Sequence, residues 1–476
     1  MSRLPDRDDT YVTTVRGMCR SCRRIVPARV ALRGGQVWQQ SLCPEHPNRP
    51  ALIAADQDWY LREALAAYPD ASPLPHSHPS RQGCPHDCGP CAWHATPCQL
   101  PVLSITTACN LACPICFTHN QPQDAWYMGA DELRETVAAI VATTGGVDLI
   151  NLTGGEPTLH PRLLELLAIC RRPGIGRVTL NSNGITLAAD PDLCRRLADL
   201  DMAVMLSCNG FTPEIGAAMH GRDLSDVKRR ALDNLAAAGV RVTIMFVLAR
   251  GVNEDALGGM LDLLRERDHI LSLTVQTMTH TGQGGGSWEK PAHIPVDEAT
   301  AMVCQRSRGE LTPADFVGRP RAHPLCYRIA YLLKVGSRLT PFARFAATER
   351  IAAAMRDSYL LDLSADDDFF REGIDQAFAR ADAPTLAVLR RLVGEIYPPG
   401  EVTTPAQRQH RAEGAVRLVC VHTHMDEDNF DCGRALLCPD QVPIGPQRFV
   451  PACTYNLFYR QQDPRFPMPP APGEPR

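Results

Sequence analysis

The chain has 476 residues, of which 44% are hydrophobic and 21% are charged, and its formal net charge is −4. This composition supports a large folded core, and the near-neutral charge gives no electrostatic reason to expect a nucleic-acid partner. No segment approaches the ~18 apolar residues of a membrane-spanning helix, and residues 1–10 are too polar for a secretory leader. We therefore expect a cytoplasmic protein that does not span a membrane, with peripheral contact to lipid left open.

The chain contains 19 cysteines, and most of them fall into short-spaced groups. Such grouping indicates metal binding rather than disulfide bonds, because the thiols of a cytoplasmic protein stay reduced. Four cysteines stand apart from the groups, and we expect them to be buried structural thiols. These are Cys170, Cys194, Cys208 and Cys304.

Residues 1–50 are predicted to form a small ribbon domain around a metal ion. Its four candidate ligands are Cys19, Cys22, Cys43 and His46. Between the two pairs, a β-favouring segment turns at Gly34-Gly35 and is read as a hairpin. Two ligand knuckles around a hairpin are typical of a zinc ribbon, which has too little core to fold without its metal. A rubredoxin-like iron would use the same ligands, and three incidental cysteines are the alternative interpretation.

Residues 51–99 are predicted to form a linker and then a second metal-binding segment. This segment has C-x3-C-x2-C spacing followed by one more cysteine, so it can ligate a [4Fe–4S] cluster completely. Its candidate ligands are Cys84, Cys88, Cys91 and Cys98. Two zinc sites, or one mixed site, are the alternative interpretation.

The third group of cysteines follows an apolar, β-favouring run at 101–107 and has the same C-x3-C-x2-C spacing. Its three thiols are Cys109, Cys113 and Cys116. Phe117 comes next, and the following cysteine is as far away as Cys170. A [4Fe–4S] cluster held here would therefore keep one iron open for a ligand outside the protein. A structural zinc knuckle closed by His119 is the alternative interpretation.

Residues 100–290 are predicted to alternate strands and helices, which indicates a parallel sheet. The predicted strands are 101–106, 147–152, 177–181, 202–207, 241–247 and 271–276. Ligand-type residues follow these strands, at the end where parallel barrels place their chemistry. They are Gly154, Gly155 and Glu156 after the second strand, Asn183 after the third and Ser207 at the end of the fourth. The glycine-rich run 280–286 is read as a flexible lid, a point of close ligand approach or a surface loop.

Residues 291–476 are predicted to form a C-terminal domain with one more metal site. Its ligands are far apart in sequence, but a domain that folds back over the sheet can gather them at one cluster. They are Cys326, Cys438 and Cys453, with Cys432 or Cys420 as the fourth. His422, His424 and Asp426 alternate along one strand and are read as metal ligands, substrate contacts or a polar strand face.

Taken in order, these motifs resemble the radical SAM superfamily, and within it the tetraether lipid synthases and the class D methylases of the pterin dimethyltransferase type. The resemblance covers residues 15–330 and 415–458. It implies an α/β fold, with a partial (β/α)6 radical SAM barrel at 100–290 between the N-terminal metal-binding segments and a C-terminal cluster-binding extension. It also implies three [4Fe–4S] clusters, one that binds S-adenosylmethionine and two that are auxiliary, and an external electron donor of the flavodoxin or ferredoxin type.

The same resemblance assigns roles to the residues at the strand ends. The third cysteine group would bind the cluster that cleaves S-adenosylmethionine to a 5′-deoxyadenosyl radical. The backbone at 154–156 would hold the amino group of that cofactor. Asn183 and Ser207 would contact its carboxylate or ribose, and Phe117 would pack on its adenine.

Three hypotheses for the function follow. An enzyme that forms C–C bonds by joining or methylating lipid chains predicts a long apolar channel. An enzyme that methylates a small heterocycle such as a pterin predicts a compact polar pocket. A non-catalytic metal-binding or redox module predicts no binding of S-adenosylmethionine. A radical SAM enzyme that acts on a peptide is a further alternative. The N-terminal metal-binding segments argue against it.

Overall fold

Two β-sheets organise the described part of the chain in the computed structural model. The structure describes residues 9–65, 76, 78–89, 91–118, 125–287, 293–361, 367–445 and 448–466. Part of the predicted linker lies outside the described residues, and so does His119. Within the described ranges, no helix has the length and apolar character needed to cross a membrane.

The first sheet is antiparallel, with its strands in the order of the chain. Its strands are β1 (Thr10–Met18), β2 (Ile25–Arg33), β3 (Gln36–Ser41) and β4 (Ala51–Ala54). The turn between β2 and β3 has positive φ angles at Gly34 (+57°) and Gly35 (+80°). Two residues with positive φ match the twist of a two-residue hairpin, which is why glycines occupy both positions. The predicted hairpin is confirmed.

Six parallel strands follow in sequence order and form the centre of the second sheet. They are β5 (Leu100–Thr106), β6 (Val147–Gly154), β7 (Ile175–Ser182), β8 (Ala203–Ser207), β9 (Arg241–Leu248) and β10 (Ile270–Thr277). All six predicted strands are confirmed. This is the α/β arrangement of a radical SAM barrel.

Helices connect these strands and continue into the C-terminal part. The described helices are α1 (Gln57–Trp59), α2 (Ala130–Thr144), α3 (Leu163–Cys170), α4 (Ile185–Ala189), α5 (Pro191–Asp199), α6 (Pro213–His220), α7 (Ser225–Ala237), α8 (Leu257–Glu266), α9 (Gly282–Ser287), α10 (Val296–Arg306), α11 (Thr348–Ala353), α12 (Asp367–Ala379), α13 (Ala383–Ile396), α14 (Pro405–Ala412), α15 (Cys432–Leu436) and α16 (Ala452–Thr454).

The C-terminal part adds strands to both edges of the barrel sheet. Its strands are β11 (Tyr327–Val335), β12 (Arg338–Pro341), β13 (Val416–His422), β14 (Asp440–Gly445) and β15 (Arg448–Pro451). β13 pairs in parallel with β10, and β14 pairs in parallel with β5. The predicted domain boundary at 290 therefore stays a prediction, since residues beyond it complete the same 11-stranded sheet.

Burial along the strands explains where the site can lie. In β9, alternate residues such as Ile244 and Phe246 are fully buried, whereas the residues between them, such as Met245 and Val247, are partly accessible. Successive strand residues point to opposite faces of the sheet. One face therefore packs on helices, and the other lines an interior cavity whose lining includes Met245 and Val247. Three of the four isolated cysteines are buried, as predicted, whereas Cys304 is only half-buried.

Candidate active site and metal centres

The four candidate ligands of the ribbon converge, because their ligand atoms all lie within 4.8 Å of one another. Sγ of Cys43 is 3.9 Å from Sγ of Cys22 and 3.5 Å from Nδ1 of His46. Arg24 donates a hydrogen bond to Sγ of Cys22 at 3.4 Å and lowers the pKa of that thiol. This favours the thiolate, which is the metal-binding form. Three thiols and one imidazole at this spacing fit a tetrahedral zinc or iron ion.

The triplet loop, residues 107–118, runs from the end of β5 past the cavity inside the barrel, and all three thiols of the triplet line that cavity. Burial raises the pKa of Cys109 to about 11 and that of Cys113 to about 12. A bound cluster would therefore have to displace their protons. Sγ of Cys113 is 3.5 Å from Nδ1 of His220, and Sγ of Cys116 is 3.1 Å from Oγ1 of Thr118. Three thiols on one cavity fit a [4Fe–4S] cluster that leaves one iron for another ligand.

Gly154 and Gly155 lie directly against the triplet loop. Gly154 has φ +141°, and a Cβ there would overlap the carbonyl oxygen of Thr106. A Cβ on Gly155 would lie 2.7 Å from the carbonyl carbon of Ala108. The N–H groups of Gly155 and Glu156 donate to Thr106 (2.8 Å) and Ala108 (2.6 Å). Since these donors are engaged, the segment would offer its carbonyl oxygens to the amino group of S-adenosylmethionine.

The side chain of Glu156 joins two strand ends rather than facing open space. It is buried, and its carboxylate accepts hydrogen bonds from Oγ1 of Thr158 (2.6 Å), Oγ of Ser182 (2.9 Å) and N of Asn183 (2.7 Å). Burial raises the pKa of Glu156, and these three donors oppose that shift. The carboxylate thus ties the end of β6 to the end of β7, beside the triplet loop.

The side chain of Asn183 is committed to the triplet loop. Its Nδ2 donates to Oδ1 of Asn110 at 2.7 Å, and its carbonyl oxygen accepts from Nζ of Lys228 at 2.5 Å. Lys228 is buried, and burial lowers its pKa although the thiols of Cys208 and Cys113 oppose the shift. The predicted contact of Asn183 with S-adenosylmethionine stays a prediction.

Lys228 was missed by the sequence reasoning, although its position carried a signal. It lies on α7 at the spacing of the buried residues Ala231, Leu232 and Leu235. A lysine on the apolar stripe of a helix is unusual and indicates a functional or structural partner inside.

The glycine-rich run 280–286 packs on the triplet loop, and from Gly282 onwards it forms α9. N of Gly284 donates to the carbonyl oxygen of Cys116 at 2.8 Å. A Cβ on Gly282 would overlap the carbonyl group of Phe117, and a Cβ on Gly284 would lie 3.0 Å from the carbonyl oxygen of Ile115. The interpretations of this run as a flexible lid or a surface loop are therefore wrong for these two glycines. Their close approach is to the backbone of the protein itself.

Two histidines of the C-terminal part lie between the triplet loop and the C-terminal cysteines. The ring of Phe117 stacks on that of His424 with centroids 6.3 Å apart, and Nδ1 of His424 is 3.3 Å from Sγ of Cys453. The rings of His424 and His422 are 4.4 Å apart. Burial lowers the pKa of His424 to about 4, so this ring is neutral at pH 7. The predicted contact of Phe117 with adenine stays a prediction.

The structure places Cys432 beside the second cysteine group instead of the C-terminal one. Its Sγ lies 3.6 Å from the carbonyl oxygen of Cys84, and the two thiols are hydrogen-bonded to each other. The thiol of Cys84 also contacts that of Cys88 and lies near Cys91. Cys432 is the first residue of α15, which packs against β1 and directs the thiol to this group. The prediction that grouped Cys432 with the C-terminal thiols is corrected.

Cys98 lies beside the C-terminal group instead. The N–H groups of Gln99 and Leu100 donate to the carbonyl oxygen of Pro439 at 3.0 and 3.1 Å, and the backbone of Gln441 donates to the thiol of Cys98. These contacts lie at the start of the pairing between β5 and β14, and burial and then the charge of Asp440 raise the pKa of the Cys98 thiol.

The remaining members of the C-terminal group are gathered as predicted. Burial, and then the nearby charges of Asp440, Cys453 and Cys326, raise the pKa of Cys438. Nη2 of Arg434 lies 3.5 Å from Sγ of Cys326. Cys420 lies on β13 and also lines the barrel cavity. Because Cys98 and Cys438 both lie near Asp440, we propose two sets of four cysteines, each able to hold one [4Fe–4S] cluster. They are Cys84, Cys88, Cys91 and Cys432, and Cys98, Cys326, Cys438 and Cys453.

Iron counting on double variants tests these sets. We expect Cys88→Ala to lose about four irons per chain, since one cluster needs all four ligands. Adding Cys432→Ala should remove no further iron, because both thiols belong to one set. Adding Cys98→Ala should instead remove about four more. The opposite pattern, with Cys98 silent and Cys432 additive, would restore the grouping expected from sequence.

The cavity inside the barrel has a volume of about 300 Å³ and lies next to the triplet. The inward residues of the parallel strands line it. Its polar lining includes Ser104, Asn151, Thr153, Asn181, Ser207, Gln276 and Asp440. Its apolar lining includes Leu100, Val102, Met205, Met245, Val247 and Val442. Ser207 thus lies where it was predicted, at the end of β8 on the cavity.

Two further residues of this cavity come from the C-terminal part and were missed. Asp440 is buried at the start of β14, and Arg460 is buried near Cys116. Nη2 of Arg460 donates to Oδ1 of Asn456 at 2.9 Å, and Asn456 also lines the cavity. The sequence signal was present, because Asp440 follows Cys438 closely and Arg460 lies in the segment after Cys453.

Comparison with known proteins gives two matching families. The Radical SAM superfamily matches residues 103–264, and the HMPTM N-terminal zinc ribbon domain matches residues 11–55. These segments coincide with the barrel strands β5–β9 and with the antiparallel sheet that carries the Cys3His site.

Individual relatives extend these matches. A 7,8-dihydro-6-hydroxymethylpterin dimethyltransferase from Methanocaldococcus jannaschii is 22% identical over 94% of this chain and 93% of its own length. A GTP 3′,8-cyclase from Chlorobaculum tepidum is 33% identical over 37% of this chain, which spans about half (52%) of the cyclase. Among solved structures, Streptococcus suis SuiB bound to S-adenosylmethionine has a TM-score of 0.37 at 18% identity, with 44% of this chain and 46% of SuiB covered.

The matched segments, the parallel barrel with its cysteine triplet and the Cys3His ribbon agree with one another. The chain belongs to the radical SAM superfamily and resembles the pterin dimethyltransferases within it.

Proposed function

We propose that this protein is a radical SAM enzyme that forms a C–C bond by methylating a carbon of a small, pterin-like heterocycle. The observation that carries the proposal is the compact cavity next to the triplet, with amide, hydroxyl and carboxylate groups in its lining. The triplet thiols and residues 154–156 line the same cavity, so the substrate would share its volume of about 300 Å³ with S-adenosylmethionine, and this favours a small substrate. The near full-length similarity to a pterin dimethyltransferase supports the same substrate class.

A lipid chain fits this cavity less well. Burying a long hydrocarbon chain requires an extended apolar surface, because each polar group left without a hydrogen bond against it costs free energy. Most of the lining surface of this cavity is apolar, but it also holds buried polar side chains such as Asn151 and Asp440, which a hydrocarbon chain would leave without partners. The heterocycle is therefore favoured over the lipid as the substrate.

The residues described above would hold the cofactors. When bound, the cluster and S-adenosylmethionine supply a 5′-deoxyadenosyl radical that removes a hydrogen atom from a substrate carbon. The hydrogen would leave in 5′-deoxyadenosine, and a sulfonium donor, such as a second S-adenosylmethionine, would give the methyl group and leave as a neutral thioether. This consumes two electrons per methyl group, one to form the radical and one to complete the methyl transfer, and both come from an external reductant. The chain would contribute the triplet thiols, the carbonyl oxygens at 154–156 and the cavity that places the substrate beside the cofactors.

The test is anaerobic. Protein reconstituted with iron and sulfide is mixed with dithionite, S-adenosylmethionine and 7,8-dihydro-6-hydroxymethylpterin. We expect 5′-deoxyadenosine and a pterin that has gained one or two methylene units by mass spectrometry. Deuterium from a labelled pterin should appear in the 5′-deoxyadenosine. If 5′-deoxyadenosine forms while the pterin stays unchanged and an added lipid gains mass, the lipid hypothesis replaces this one.

A further inference from the structure

Three side chains in the barrel cavity each hold a buried oxygen atom that has no hydrogen-bond partner among the described residues. They are Oδ1 of Asp440, Oδ1 of Asn151 and Oδ1 of Asn181. Asp440 is only 4% exposed and Asn151 only 7%. Buried polar atoms are almost always paired, because an unpaired acceptor loses its hydration without compensation. Three such atoms on one cavity indicate a ligand that donates hydrogen bonds.

The three residues lie on one side of the cavity. Asp440 of β14 pairs in register with Leu100 of β5, and Val102, two residues further along β5, pairs with Asn151 of β6. Asn181 lies on the next strand, β7. The four strands are adjacent in the sheet, so their inward side chains form one continuous wall.

The carboxylate of Asp440 is held in one orientation. Its Oδ2 accepts a hydrogen bond from the hydroxyl group of Tyr327 and lies 3.8 Å from Nε2 of His422. The rings of Tyr327 and His422 stack with centroids 4.2 Å apart and an interplanar angle of 7°. Arg319 covers the Tyr327 ring at 5.5 Å. Because these groups engage Oδ2, Oδ1 is the oxygen left for a ligand.

We propose that Asp440, with the amides of Asn151 and Asn181, forms a subsite for the 2-amino-pyrimidinone edge of the substrate. This inference rests on the proposed function and specifies how the heterocycle is recognised. Such an edge presents a ring N–H beside an amino group, and a carboxylate oxygen is their matching acceptor. The neighbouring amides can each donate or accept, so they suit the ring's remaining nitrogen and oxygen atoms. A hydrocarbon chain would leave all three groups unsatisfied.

The experiment measures binding of the pterin to the enzyme loaded with its clusters and S-adenosylmethionine. Asp440→Asn keeps the shape of the side chain. Its amide oxygen must still accept from Tyr327, so an NH2 group then faces the ligand's donors. We expect the dissociation constant for the pterin to rise on the order of 10- to 100-fold. The affinity for S-adenosylmethionine and the iron content should not change.

A second ligand isolates the subsite from general effects. An analogue with oxygen in place of the 2-amino group should bind the wild-type enzyme more weakly than the pterin does. Asp440→Asn should reduce or invert that preference, and Asn151→Leu should weaken binding of the pterin without affecting iron. Asp315→Asn is the control. It removes another buried carboxylate, which pairs with Arg344 and is not part of the cavity lining, and it should leave the preference intact.

The outcomes separate the two proposals. If the pterin is methylated but Asp440→Asn keeps the wild-type preference, the subsite is wrong and the proposed function stands. If Asp440→Asn loses iron, the carboxylate serves the neighbouring cysteines and the subsite is again wrong. If the wild-type enzyme binds no pterin at all, the proposed function itself fails.

Discussion

Replacing Cys113 by alanine is expected to abolish formation of 5′-deoxyadenosine, with a loss of at least about a hundredfold. The triplet supplies three thiols to a cluster that has no further ligand from its own loop, so removing one leaves too few to hold it. Cys113 lines the barrel cavity, and its Sγ is 3.5 Å from Nδ1 of His220, which lines the same cavity. The measurement is chromatography of the products after anaerobic reduction in the presence of S-adenosylmethionine.

Two variants serve as controls for that result. Cys194→Ala removes a fully buried thiol that packs in the core of the barrel. It should cost about 1 kcal/mol of stability and leave the product unchanged. Cys88→Ala removes a ligand of an auxiliary set and should retain part of the activity. If Cys88→Ala were inactive and Cys113→Ala active, the two triplets would have exchanged roles.

Replacing Gly155 by alanine is expected to lower the affinity for S-adenosylmethionine by at least about tenfold. The new Cβ would lie 2.7 Å from the carbonyl carbon of Ala108 and 2.8 Å from the carbonyl oxygen of Thr107. Both are backbone atoms, so the triplet loop has to move away from the end of β6. We also expect a loss of about 1–3 kcal/mol in the free energy of unfolding, which is typical of overpacking. Equilibrium dialysis and denaturant unfolding measure the two effects.

Gly259→Ala is the matched control for this substitution. Gly259 lies inside α8, and a Cβ there would meet no atom within 4 Å. Alanine at an open helical position should raise stability by ~0.5–1 kcal/mol. An equal loss of cofactor affinity in both variants would contradict the steric explanation for Gly155.

Much of the candidate site could be predicted because its residues are close in sequence. The ribbon ligands occupy two short knuckles at the ends of a hairpin, and a turn that needs two positive φ angles identifies that hairpin. The triplet directly follows β5, and Gly154 directly ends β6. In each case a few consecutive residues determine both the local backbone and the spacing of the ligand atoms.

The exchange of Cys98 and Cys432 shows where that reasoning ends. Cys432 contacts Cys84 across 348 positions of the chain. Cys98 is near Cys84 in sequence, but it lies just before β5, and the pairing of β5 with β14 places it beside the C-terminal part, near Asp440. From the sequence, each of these cysteines was grouped with the cysteines closest to it along the chain. In the folded protein, strand and helix packing decides the neighbours instead.

By itself, the sequence determined the class of fold, the alternation of the barrel strands, the cysteine triplet and the metal site of the ribbon. Only the tertiary structure decided which cysteines lie together, that Glu156 and Lys228 hold the end of β7, where Asn183 contacts the triplet loop, and that Asp440 lines the cavity. The physical reason is that the features determined by the sequence depend on hydrogen bonds and ligand geometry within a few residues. The features decided by the tertiary structure depend on which strands pair at the sheet edges, and burial of the whole core determines that pairing.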